Sequence, residues 1–121
     1  MKHSEKGIKH DKQKLRYDLI SPTALKGLVQ VLTYGATKYP DRNWEKGVDW
    51  NRYFAGLMRH AWDFWQGEDI DPESGFYHID HVQTCAHFLS HYKTHKKEFD
   101  NRPGKGKTML LYRKKTVTKR R

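Results

Sequence analysis

The chain has 121 residues, with 24 Lys and Arg, 14 Asp and Glu and one cysteine. That length supports one domain with a modest core. The lone Cys85 excludes an internal disulfide, a thiol redox pair and a Cys-rich zinc module, and it suits a reducing cytosol.

No apolar run approaches the length of a membrane span, and no signal-peptide pattern precedes the charged opening MKHSEKGIKHDKQK, so a cytoplasmic protein with no membrane partner is expected. The formal charge of +10 is unevenly spread: residues 102–121 carry nine Lys and Arg and no acid, which leaves 15 cations against 14 acids in the rest. The expected division is therefore a domain over 1–101 and a basic tail over 102–121. Such a tail is a solvated or phosphate-attracted extension, with nucleic acid as a candidate partner.

In chain order, residues 1–13 are polar. In KLRYDLISP, Lys14 and Arg16 are candidate phosphate contacts, although surface charges on an extended segment account for them equally well. Ser21-Pro22 supplies a hydroxyl N-cap and a proline at the first helical position. Leu25, Leu28, Val29, Leu32 and Ala36 then recur at helical spacing and predict a helix over about 22–38.

GATKYPDRNWEKG is irregular, with Pro40, Asp41 and Gly47 as breakers. It also carries Lys38, Tyr39, Arg42, Asn43 and Trp44. An aromatic plane stacks on a base, an amide reads a base edge, and cations meet phosphate. The alternative is a loop whose Tyr39 and Trp44 plug the core. A second helix, capped by Asp49 or Asn51, carries an apolar stripe of Phe54, Leu57, Met58, Ala61, Trp62 and Trp65, read as core, with Arg59, His60 and Asp63 beside it. Gly67 ends it.

After the turn GEDIDPESG, Gly75 opens a third helix over about 76–98, with Phe76, Ile79, Val82, Cys85, Ala86 and Leu89 as its buried side, helped by Phe88 and Tyr92. His87, His91 and His95 are read as a polar flank. Thr108–Tyr112 is a short strand or tail anchor. The expected fold is all-α: a bundle of three main helices with irregular connections, whose thin core is completed by association between chains.

The densest chemistry lies in RHAWDFWQGEDIDPESGFYHIDHV, where His60 and Asp63, Glu68 and Asp71, and His78 and His81 are each three apart. That spacing shares one helix face. Three metal readings compete. In a calcium loop Asp69, Asp71 and Glu73 would alternate and Asp80 would stand twelfth, but Ser74 replaces the required glycine and the bidentate glutamate is missing. A structural zinc site would use His60, His78, His81 and one carboxylate. A catalytic site would hold Mg²⁺ or Mn²⁺, the imidazoles favouring Mn²⁺, and would give the nearby cations and aromatics a nucleotide to bind.

KLRYDLISPTAL, GATKYPDRNWEKG, RHAWDFWQGEDIDPESG and HIDHVQTCAHFL, in that order, resemble the phage-type dATP/dGTP diphosphohydrolase N-terminal family, grouped with MazG-like all-α nucleoside triphosphate pyrophosphohydrolases. The resemblance covers about residues 7–92. It implies a homo-oligomeric all-α hydrolase in the host cytosol. Such an enzyme cleaves a purine dNTP to dNMP and pyrophosphate with Mg²⁺ or Mn²⁺, in control of a phage nucleotide pool. MazG-type enzymes carry ExxE on one helix and ExxD on the next; here the corresponding helices offer His60 with Asp63 and His78 with His81. Spacing ranks Glu68, Asp71, His60 and His78 ahead of Asp63, Glu73 and His81. The metal set is taken as His60, Glu68, Asp71, His78 and His81, and the water-orienting carboxylate as Glu68 or Glu73. Phosphate contacts come from Lys14, Arg16, Lys38, Arg42 and Arg59, and base contacts from Tyr39, Asn43 and Trp44. A non-catalytic nucleotide binder, a host-interaction protein of the same fold and a nucleic-acid binder acting through the tail are the alternatives.

Overall fold

Ser21 starts the first helix as the sequence predicts. Its Oγ accepts the Ala24 amide at 3.1 Å, Pro22 occupies the first turn, and α1 runs Pro22–Gly35. In this computed structural model, which describes residues 5–105, α2 spans Trp50–Trp65 and α3 spans His78–His95. Short 3₁₀ turns at Tyr17–Leu19, Asn43–Lys46 and Lys97–Phe99 flank them. There is no strand among the described residues, only an isolated antiparallel bridge between Ile70 and Tyr77. The protein is an all-α bundle. The segment Thr108–Tyr112 and the tail from residue 106 lie outside the described residues.

α3 is the central helix, packing most extensively against α2 and then against α1. Its contact with α1 is close because Gly27 has no side chain: a Cβ there would fall 2.2 Å from the Asp80 carboxylate. Gln83 Nε2 strengthens the seam by donating to the Ala24 carbonyl at 2.9 Å. This geometry shifts the inward face of α1. Gly27, Leu28 and Val31 are buried, whereas Leu25 and Val29, expected inside, are exposed.

Helix ends also differ from expectation for identifiable reasons. α1 stops at Gly35 rather than 38 because the chain tightens, with Thr37, Lys38 and Tyr39 amides bonding back to Tyr34 and Gly35 carbonyls. α2 has no side-chain cap from Asp49; the Asn51 amide instead bonds Asn101 Oδ1 at 3.1 Å, a cap supplied from beyond α3. Trp50 Nε1 donates to the Lys96 carbonyl, and the Arg102 guanidinium lies 4.8 Å above the Trp50 ring, so the chain after α3 folds back on the start of α2. At its other end α2 closes as expected at Gly67 (φ +101°), where Gly67 N donates to Phe64 O and Glu68 N to Asp63 O. α3 begins at His78 rather than 76 because the Ile70–Tyr77 bridge and the His78 amide bond to Asp69 O hold the preceding residues extended.

The α2 stripe is not all core. Phe54 is 54%, Trp62 56% and Trp65 77% exposed. With the half-buried Met58 and Ala61 they lie on one helix face, opposite the side that carries buried Gly56. The deepest side chain is Tyr92 of α3, whose hydroxyl donates to the Trp44 carbonyl and ties the connection after α1 to the centre of the bundle. No described helix is long and apolar enough to cross a membrane.

Candidate functional site

The turn between α2 and α3 is braced by hydrogen bonds of its own. Asp71 N donates to Phe76 O at 2.8 Å, Gly75 N to Asp71 O at 2.7 Å, and His78 N to Asp69 O at 2.8 Å. Gly75 adopts φ +80°, which favours glycine. Asp71 Oδ1 accepts the Glu73 amide, and Ser74 Oγ accepts the Phe76 amide. The turn satisfies its own backbone, and Asp80 points at Gly27 on α1 rather than into the loop. These two features disagree with a calcium loop.

His60 on α2 reaches the same region as His78 and His81 on α3. The His60 and His81 rings stack with centroids 4.2 Å apart, and His60 Nδ1 lies 2.9 Å from His78 Nδ1. His78 Nε2 meets Glu68 Oε1 at 2.7 Å, with Asp63 Oδ2 at 3.9 Å. His81 Nε2 is 3.5 Å from Asp71 Oδ2 and 2.7 Å from Ser74 Oγ. Two groups of metal-compatible side chains result: His60, Asp71 and His81, and Asp63, Glu68 and His78. The donor chemistry of the first, two imidazoles and a carboxylate, fits a divalent cation and suits Mn²⁺ or another transition ion better than Mg²⁺.

Burial sets the charge states. It lowers the pKa of His60 and His81; the His81 and His78 rings lower His60 further, the His78 ring lowers His81, and the Asp71 carboxylate only partly opposes this. Burial also pushes the Asp71 carboxyl up. The Glu73 amide, the Ser74 hydroxyl and the nearby imidazoles outweigh that effect, and Asp71 titrates below the ordinary carboxylate value. Neutral imidazoles and an ionised carboxylate are the protonation states that ligate a cation.

Beside this cluster lies a cavity of about 910 Å³. Its lining includes His60, Asp71, Glu73 and His81 together with Lys38, Tyr39, Arg42, Asn43, Trp44 and Arg59. The structure thus brings together most of the sequence candidates, but it does not gather all of them. Lys14 and Arg16 do not line the cavity, and the Arg16 guanidinium is held by Asp18 through bonds of 2.8 and 2.7 Å. Glu68 and His78 are also absent from its wall, and His78 is only 1% exposed. Arg42 is ion-paired with Glu45 at 2.5 Å. Trp44 packs against His87, Phe88 and His91 at ring separations of 4.9–5.2 Å, so it is largely a core plug whose edge reaches the cavity.

Sequence reasoning passed over two residues here. Ser74 bonds His81 and sits against Asp71. His87, read as part of a polar flank, contacts Trp44 and lines the cavity, and its buried Nδ1 has no hydrogen-bond partner among the described residues. The partner that places His87 is Trp44, far away in sequence, so no local pattern marks it.

A family profile described as dATP/dGTP diphosphohydrolase, N-terminal, matches residues 4–102. A protein of Salmonella phage PMBT28 named dATP/dGTP diphosphohydrolase is 31% identical over 83 residues, which is 69% of this chain and 28% of the relative. The chain therefore spans well under half the length of that relative. No solved structure matches.

Proposed function

The chain belongs to the dATP/dGTP diphosphohydrolase N-terminal family, and from that premise we propose that it hydrolyses a purine deoxynucleoside triphosphate, dATP or dGTP, to dNMP and pyrophosphate with a divalent cation. The observation that carries this reading is that His60, Asp71 and His81 line one cavity together with Lys38, Tyr39, Asn43 and Arg59. A nucleoside triphosphate needs cations for its phosphates and a ring surface for its base, and the lining includes both kinds of group.

His60, Asp71 and His81 are the residues that would hold the cation, which when bound neutralises charge on the phosphate oxygens. Arg59 and Lys38 bind the remaining phosphate oxygens, fixing the chain for in-line attack. Tyr39 and Asn43 face the base. Glu73, exposed at the cavity edge beside Asp71, orients the attacking water and takes its proton. Glu68 does not line the cavity, so of the two carboxylates considered, Glu73 is assigned this role. The exposed Phe54, Trp62 and Trp65 on one face of α2 support a homo-oligomer in which a second copy covers them. The role in the cell is control of a purine deoxynucleotide pool.

Glu73→Gln tests the assignment: kcat should fall by about 10²- to 10⁴-fold, with the helical circular dichroism and the metal content unchanged. Wild-type turnover in that variant removes Glu73 from the mechanism.

A further inference from the structure

The six metal-compatible side chains form two groups joined by one bond, His60 Nδ1 to His78 Nδ1 at 2.9 Å. We propose that Glu68 and His78 bind no cation themselves but form a hydrogen-bonded relay that fixes the protonation of His60, so that the cluster holds one divalent cation, at His60, Asp71 and His81, and not two. The proposal rests on the reading above only in taking a divalent cation to bind there.

A neutral imidazole has one N–H and one lone pair, and a bond between two ring nitrogens contains one proton. Suppose His60 Nδ1 donates. The His60 lone pair is then on Nε2, free for a cation, and His78 Nδ1 accepts. His78 therefore carries its proton on Nε2, facing the Glu68 carboxylate at 2.7 Å. Every proton has an acceptor. Suppose instead that His78 Nδ1 donates. His60 must then carry its proton on Nε2 and drops out as a ligand, even if His78 is doubly protonated. If His78 is singly protonated, its bare Nε2 also faces a carboxylate oxygen, acceptor against acceptor. The two groups cannot both hold a cation while the His60–His78 bond is kept.

Distances favour the first arrangement. Two ligands each about 2.1 Å from one metal stand roughly 3.0–3.4 Å apart. His78 Nε2 and Glu68 Oε1, at 2.7 Å, have the separation of a charge-assisted hydrogen bond. His81 Nε2 and Asp71 Oδ2, at 3.5 Å, have nearly that of co-ligands. Ser74 Oγ bonds His81 Nε2 at 2.7 Å, and a cation on that nitrogen displaces this bond, with the Asp71 carboxylate as the other acceptor for the Ser74 proton. Access agrees as well. His60, Asp71 and His81 line the cavity, whereas His78 is buried behind them and neither Asp63 nor Glu68 reaches it. A carboxylate that holds the proton on a histidine, and so fixes the lone pair presented to a metal, is a recurrent second-layer device; here a second imidazole extends it by one link.

The test is Co²⁺ titration of the untagged full chain, followed by visible absorption and equilibrium dialysis. Wild type should bind one tight Co²⁺ per chain. Glu68→Ala should keep that stoichiometry with about 10- to 100-fold weaker binding, while Glu68→Gln, whose amide oxygen still accepts the His78 proton, should recover much of the loss. Asp71→Asn should abolish the site. Two tight Co²⁺ per wild-type chain, falling to one in Glu68→Ala, overturns the proposal. Complete loss of binding in a folded Glu68→Ala, or no binding by wild type, also overturns it. Hydrolysis of dATP and dGTP by the same protein preparations with Mn²⁺ or Mg²⁺ separates the two readings. One Co²⁺ without turnover contradicts the proposed activity alone, and two Co²⁺ with turnover contradicts the relay alone.

Discussion

Tyr92→Phe should loosen the cavity wall from the bundle without changing the shape of the core. Tyr92 is 0% exposed, and its hydroxyl donates to the carbonyl of Trp44, in the connection that carries Tyr39, Arg42 and Asn43. Phenylalanine keeps the ring packing against Tyr53, whose centroid is 5.7 Å away, and deletes only the donor. A carbonyl left without its partner in a buried setting costs about 1–3 kcal/mol, and local rearrangement recovers part of that, so a loss of about 1–2 kcal/mol is expected. Unfolding entropy of about 2 cal/mol/K per residue over roughly 100 residues converts this to a Tm drop of about 5–10 °C. The assay is thermal unfolding at one fixed protein concentration, because self-association would also move Tm. The KM for dATP or dGTP should rise with kcat little changed, since the loop contributes to binding rather than to bond cleavage. A Tm within about 2 °C of wild type would refute the reasoning, because it would mean that this hydroxyl does not anchor the loop.

Two further outcomes follow from the site. Burial holds the folded pKa of His60 and His81 below the ordinary imidazole value, so the unfolded chain takes up protons first as pH falls below about 6.5. Their contribution to stability is full above that pH and is lost as pH falls through the folded values; urea midpoints of the metal-free protein should therefore decline from about pH 7.5 to about pH 5.5, and a flat profile would contradict it. Arg59 lines the cavity while Arg16 is paired with Asp18 outside it. Arg59→Ala should raise KM by about ten- to a hundredfold, the loss of one charge-assisted bond, and Arg16→Ala should leave it unchanged; equal effects in steady-state kinetics would show that the cavity is not the triphosphate site.

The helices were legible because their signals are local. Ser21-Pro22, the positive-φ Gly67 and the 3.6-residue recurrence of apolar residues act within a few residues of one another. The inward faces were less legible. Periodicity gives the width of an apolar arc but not the part of it that meets a neighbour, and on α2 the arc is wider than α3 can cover, leaving Phe54, Trp62 and Trp65 outside. On α1, Gly27 lets α3 approach so closely that the buried set keeps Leu28, gains Gly27 and Val31 and leaves Leu25 and Val29 outside. The site shows the same split. The three-residue spacings marked the metal-compatible side chains that α2, the following turn and α3 bring together. They carried no information on the contact between His60 and His78, which links the two groups of side chains, or on Trp44, which places His87. Arg16 looked free in the sequence only because its partner Asp18 is an equally ordinary neighbour.

The most direct test is product analysis of the purified protein with dATP and dGTP, each with Mn²⁺, with Mg²⁺ and with a chelator. The proposed function predicts metal-dependent appearance of dNMP and pyrophosphate in equal amounts, faster with Mn²⁺, and none with the chelator. Formation of dNDP and orthophosphate, or an unchanged nucleotide under both metals, would contradict it.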